Sequence, residues 1–160
     1  MKKTRILTNG ALIAALYVVL TYISNLAGLA NGAIQVRISE ALTILPAFTF
    51  SAVPGLTVGC VVANLLTGAQ LWDVVFGSLA TFIGALGTYY LGKNKYLAPI
   101  FPIVANTAII PFVLKIVYGV TDGYGFLFAT IFMGEFISCG ILGVILYGAV
   151  RKANIFKRDE

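Results

Sequence analysis

The sequence contains no histidine. Haem ligation, most zinc sites and imidazole-based acid–base chemistry therefore lack their usual side chain. Charge is scarce too: charged residues make up 11% of the 160 positions, against about a quarter in an ordinary globular domain. Cysteine is nearly absent. Cys60 and Cys139 both fall inside apolar runs, where the expected role is that of a small buried hydrophobe. There is no Walker A loop, no G-x-S-x-G elbow, no H-E-x-x-H pair and no run of acidic residues at metal-ligand spacing. The expectation is a protein that is not an enzyme, hydrolyses no ATP itself and holds neither cofactor nor metal.

What fills the space is hydrophobic. Apolar residues account for 59% of the chain and the mean hydropathy is +0.96, which predicts an all-α integral membrane protein. One membrane domain, residues 1–160, accounts for the whole length. The start, "MKKTRILTNGALIAALYVVLTYISNL", imitates a signal peptide. Its apolar part runs to about 20 residues, longer than a signal h-region, and comparable segments follow it, so it reads as a first transmembrane helix.

Six apolar segments are expected: Ile6 to Ala27, Ile38 to Phe50, Pro54 to Leu66, Trp72 to Leu91, Leu97 to Tyr118 and Gly125 to Val150. The second and third are short for a hydrocarbon core of about 30 Å and qualify as partial spans. Pro46 is expected to kink the second. Lys2, Lys3 and Arg5 precede the first segment, Lys93 and Lys95 separate the fourth from the fifth, and Arg151, Lys152, Lys157 and Arg158 follow the sixth. An even number of crossings puts all three clusters on one face, and the positive-inside rule makes that face, with both termini, cytoplasmic. The net charge of +5 thus reports topology and not a nucleic-acid partner.

That topology gives every intramembrane polar group a depth. Arg37 and Glu40 fall at the outer entry of segment two, Asn64 beyond the midpoint of segment three, and Gln70 and Asp73 at the outer start of segment four. Asn106 and Glu135 fall near the midplane, and Lys115 near the outer surface. A central charge costs about 2.5–3.5 kcal/mol on insertion scales, so such residues pair or face water or ligand. Two readings stand: structural pairs between helices (Arg37 with Glu40, Lys115 with Asp73 or Glu135), or a ligand cavity open to the outside. The gathering of the whole set in one half favours the cavity. A self-contained channel needs polar groups through the full depth, and the inner half has almost none. The loop "NLAGLANGAIQV", with its Asn31-Gly32 turn signal, reads either as a lid on the cavity or as a plain surface loop. In the inner half, Gly10, Ala11, Ala14 and Ala15, and again Gly55, Gly59 and Ala63, give small-xxx-small spacing. This suits close helix contact, within the bundle or with another protein.

Against that background, Ala11-xxx-Ala15 in the first of six helices resembles the S components of energy-coupling factor (ECF) vitamin transporters. "QVRISEALTILP", "PGLTVGCVVANLL", "DVVFGSLAT", "LAPIFPIVANTAI" and "GEF" resemble the QueT branch of that group, and the likeness spans nearly the whole chain. The resemblance implies capture of a queuosine precursor such as 7-aminomethyl-7-deazaguanine. It also implies a partner module of one transmembrane T component and two ATPase subunits, docked at Ala11 and Ala15. Another nitrogen heterocycle is the competing cargo. A guanine-like edge offers N–H donors and the aminomethyl arm a positive charge. Glu135, with Asp73 or Glu40, is expected to meet these through charge-assisted bonds. Asn64 and Asn106 are expected to meet the ring carbonyl and nitrogens, Arg37 to hold Glu40, and Trp72 or Tyr118 to stack on the ring.

Overall fold

A computed structural model describes residues 2–29 and 34–156. Every regular element among them is helical. The order is α1 (Lys2–Leu26), a 3-10 helix (Ile38–Ala47), α2 (Ala52–Leu66), α3 (Leu71–Leu91), α4 (Ile100–Ile116) and α5 (Tyr124–Ala153). The middle of α5, Phe136–Leu142, is wound as a π-helix. These elements fall on the six apolar segments, with ends shifted by a few residues. Helices α1, α3 and α5 are long and apolar enough to cross a bilayer, whereas the 3-10 helix, α2 and α4 are shorter.

Short connections make successive helices antiparallel neighbours. The start of α1, the α3–α4 turn and the end of α5 therefore share one end of the bundle, the basal end. There Lys3, Arg5, Lys93, Lys95, Arg151 and Lys152 are all exposed. The surface between the two ends is greasy: Leu12, Leu16, Val75, Ile83, Val104 and Ile145 stand outward, while Ser24, Ser39, Thr43, Asn64 and Thr88 are buried. A protein bathed in hydrocarbon has this inverted distribution, because inward is where its polar groups find partners.

The 3-10 helix is the axis of the bundle. It packs against α1, α2, α3 and the middle and C-terminal part of α5, Phe136–Ala153, and Ser39 through Pro46 are buried without a break. A 3-10 helix rises about 2.0 Å per residue, against 1.5 Å in an α-helix. This segment therefore reaches deeper than its residue count suggests. Pro46, expected to kink it, lies inside the 3-10 helix without ending it. Thr43 adds a competing bond, its hydroxyl donating to the Glu40 carbonyl at 2.6 Å, which suits i, i+3 winding. That winding stacks Glu40, Thr43 and Pro46 on one line.

Glycines set the basal contacts. A Cβ on Gly55 would lie 2.6 Å from the Gly10 carbonyl oxygen, and one on Gly59 would lie 3.1 Å from Ala14. Helices α1 and α2 thus touch backbone to backbone. Gly10 is buried and Ala14 half-buried in this seam, while Ala11 and Ala15 are exposed, Ala11 at the lip of the α1–α2 groove. Around the basal half of the 3-10 helix the core is apolar, built around Ile13, Ile44, Leu45, Val53, Leu56, Ala85 and Tyr147.

Candidate substrate site

The distal end of the bundle is stitched to α1 by a polar seam. Tyr17, Thr21 and Ser24 recur at i, i+4 and i+7, on one helical face. Each holds the first turn of the 3-10 helix. Tyr17 donates its hydroxyl to Glu40 Oε1. Thr21 donates to Ser39 Oγ at 2.8 Å, and Ser24 Oγ accepts the Ile38 N–H at 2.9 Å. The loop between them runs back across α5. Val36 N–H bonds the Leu29 carbonyl at 2.9 Å, and Arg37 N–H bonds Ser138 Oγ at 3.2 Å. Gly134 makes this crossing possible: a Cβ there would fall 2.1 Å from the Gln35 carbonyl oxygen. The Asn31-Gly32 turn lies outside the described residues.

Two connected cavities lie under this loop. A polar cleft of about 380 Å³ is lined by Thr21, Asn25, Gln35, Arg37, Asn64 and Asp73, with Tyr118 at its side. That volume falls within the usual range of small-molecule sites. Deeper, a narrow pocket of about 30 Å³ lies among Arg37, Glu40, Cys60, Gly77, Asn106 and Glu135, room for about one water. Gln35, Arg37 and Ile110 line both, so Arg37 stands at the junction.

The deep pocket holds unusual groups. Glu40 is 3% exposed, and its Oε2 has no hydrogen-bond partner. Asn106 is 5% exposed. It lies beside Glu135, yet its Nδ2 completes no hydrogen bond of ordinary geometry. A buried polar group without a partner costs roughly 1–3 kcal/mol, so an orphan acceptor and an orphan donor on one small pocket are expensive features to keep. Glu135 takes a hydrogen bond from Cys139 Sγ at 3.2 Å through Oε2. Cys139 is one turn on, where α5 widens into its π-helix, and it also contacts Thr43 Oγ1 at 3.4 Å. Ligand atoms of Glu40, Glu135 and Cys139 lie within 4.8 Å of one another. The sequence separation of Glu40 from the other two hid this cluster.

The six polar residues singled out in the sequence divide between the cavities. Arg37, Glu40, Asn106 and Glu135 line the deep pocket, and Arg37, Asn64 and Asp73 the cleft. Asn64 leans on Cys60 Sγ at 3.5 Å, and the missing side chain of Gly77 leaves space beside it, 3.3 Å from Asn64 Nδ2. One expectation needs correcting, and two alternatives fall away. Glu40 is held by Tyr17 and not through an ion pair with Arg37, because Arg37 caps the 3-10 helix in extended conformation. Lys115 pairs with neither Asp73 nor Glu135. It donates to the Asp122 carbonyl at 2.7 Å and lies over the Tyr124 ring, because the chain after α4 turns back beside it. Trp72 stacks on Phe76 and is 59% exposed, facing away from the cleft. Tyr118 does reach the cleft, and it donates to Asp73 Oδ2 at 3.0 Å. Tyr17 and Cys139 were not anticipated as site residues. The i, i+4, i+7 polar stripe was the available signal for Tyr17, and nothing in the sequence marks Cys139.

A queuosine precursor transporter, QueT, from Lactococcus lactis subsp. cremoris (strain MG1363) is 36% identical over 81 residues, which are 51% of this chain and 47% of that protein. The match thus spans about half the relative's length. No solved structure matches. The family described as QueT transporter covers residues 7–152. The chain belongs to the QueT transporter family.

Proposed function

We propose that this protein is the multi-pass, membrane-embedded capture subunit of an energy-coupled importer in a bacterial cell membrane. It takes a queuosine precursor, 7-aminomethyl-7-deazaguanine, from outside. Its six helical segments cross the bilayer with both termini cytoplasmic, so the cleft faces outward and the basal end inward. The carrying observation is the pair of orphan atoms in the deep pocket, Glu40 Oε2 and Asn106 Nδ2. The first needs a donor and the second an acceptor. The lactam–amidine edge of a deazaguanine offers both, two N–H donors beside a carbonyl, in the way such an edge is read in other base-binding pockets. Glu40 and Glu135 accept from the N–H groups, and Asn106 donates to the carbonyl. The ring lies in the cleft beside Asn64, over the gap left by Gly77. Its cationic arm meets Asp73, whose carboxylate is already oriented by Tyr118. An edge can enter the deep pocket only if Arg37 swings aside, since the pocket is too narrow for a ring.

The apolar core around the basal half of the 3-10 helix supports delivery by a partner over passage through the chain. On this reading, a T component with two ATPase subunits docks on the exposed small residues Ala11 and Ala15. Two measurements test the proposal. Titration of the purified chain with 7-aminomethyl-7-deazaguanine should give saturable binding, and liposomes holding the chain alone should not accumulate it. Absence of binding, or uptake without ATPases, overturns the reading. Ala11→Leu or Ala15→Leu should keep binding while losing assembly with the T component. Intact co-purification would remove the docking assignment.

A further inference from the structure

We propose that Tyr17 is a positioning residue of the cargo site, fixing which lone pairs Glu40 presents to the ligand. The inference rests on the capture reading above. Tyr17 is fully buried, and its hydroxyl is committed to Glu40 Oε1. A carboxylate is an acceptor only, so the phenol must be the donor. With Oε1 held from behind, Oε2 is the oxygen left without a partner, and Glu40 lines the deep pocket. Its free acceptor, Oε2, is left for a ligand N–H. The support behind Tyr17 is rigid. A Cβ on Gly59 would come within 2.9 Å of the Tyr17 Cβ, so α2 closes on that side. Thr21 and Ser24 hold the same turn of the 3-10 helix through Ser39 and Ile38. Glu135 is arranged in parallel, with one oxygen taken by Cys139. The phenol therefore touches no cargo and acts through Glu40. It makes the site selective for edges that present a donor at this point.

The test is a double-mutant cycle on the purified chain, titrated with 7-aminomethyl-7-deazaguanine and with its analogue lacking the 2-amino group. Loss of a hydrogen bond to a charged group predicts that Tyr17→Phe weakens binding about ten- to hundredfold and shrinks the preference for the 2-amino compound. In a Glu40→Gln background the same change should have little further effect, because the two act as one unit. Additive losses, or an unchanged preference in Tyr17→Phe, overturn the assignment. Infrared difference spectra of the cargo-free protein supply an independent arm. Tyr17→Phe should shift a carboxylate band that is missing in Glu40→Gln. If the wild type binds no deazaguanine, the capture reading fails by itself. The band shift then still decides whether Tyr17 orients Glu40, and its absence overturns that link.

Discussion

The two ends of this bundle are built from the same apolar alphabet to opposite specifications. At the basal end, contacts are finished: Gly55 lies against Gly10, Gly59 against Ala14, and Phe48 packs on Tyr147 with ring centroids 4.6 Å apart. At the distal end, contacts are left incomplete. Glu40 Oε2 has no hydrogen-bond partner and Asn106 Nδ2 none of ordinary geometry, and regular winding gives way where the first turns of the 3-10 helix lie beside the π-helix. Both departures aim side chains that a straight α-helix would place elsewhere, and π-turns recur at functional sites for that reason. The difference teaches where stability and function are separated in the molecule. On the capture reading, finished packing holds the fold and unfinished polar valence is kept for a ligand.

The sharpest way to break that division is Gly134→Ala. Its new Cβ would strike the Gln35 carbonyl at 2.1 Å, and a backbone oxygen cannot step aside without moving the loop that carries Arg37. Overpacking of this kind costs about 1–3 kcal/mol. At this position the cost falls on the cleft roof, so cargo affinity should drop about ten- to hundredfold, with only a modest loss of thermal stability. Wild-type affinity would show that the loop does not shape the site.

Gly55→Ala is the reciprocal change. The methyl would meet the Gly10 carbonyl at 2.6 Å, again backbone, at the finished end. The gain in helix propensity, about 1 kcal/mol, is smaller than the steric cost, so the expected net loss is about 1–2 kcal/mol of stability. Thermal unfolding in detergent should shift downward while the affinity of the folded protein stays within a factor of about two. A large affinity loss there would mean that the two ends are not separable.

Much of this layout was legible in the sequence, and the illegible part has a physical cause. Hydropathy marks the six segments because the long helices present apolar faces to lipid and the 3-10 helix is buried among them, and Lys93, Lys95, Arg151 and Lys152 mark one end by charge alone. Arg37, Glu40, Asn106 and Glu135 were visible as polar residues in apolar surroundings, which is costly enough to need a reason. Their partners were not visible. A 3.6-residue period does not anticipate ten residues of 3-10 helix (Ile38–Ala47) or a π-helix at Phe136–Leu142. Those two windings decide that Tyr17 and not Arg37 holds Glu40, and that Cys139 reaches Glu135. The partner of Lys115 was hidden for a similar reason: its acceptor is a backbone carbonyl, Asp122 O, and no side-chain pattern records it.

The smallest effect should come from the rim, where Asp73→Asn sharpens the contrast between depth and surface within the distal end itself. Asp73 is buried on the side of the cleft, but its hydrogen-bond donor, Tyr118, is 39% exposed, so water competes for the contact. Asparagine keeps an oxygen that can accept the Tyr118 hydroxyl, and therefore the geometry, and removes only the charge. For 7-aminomethyl-7-deazaguanine the expected loss is about three- to tenfold, in line with a single modest hydrogen bond. For an uncharged 7-substituted analogue it is close to none. Equal losses for both ligands would move Asp73 from the cationic arm to the ring. No loss for either would leave Glu40 and Glu135 as the carboxylates that matter.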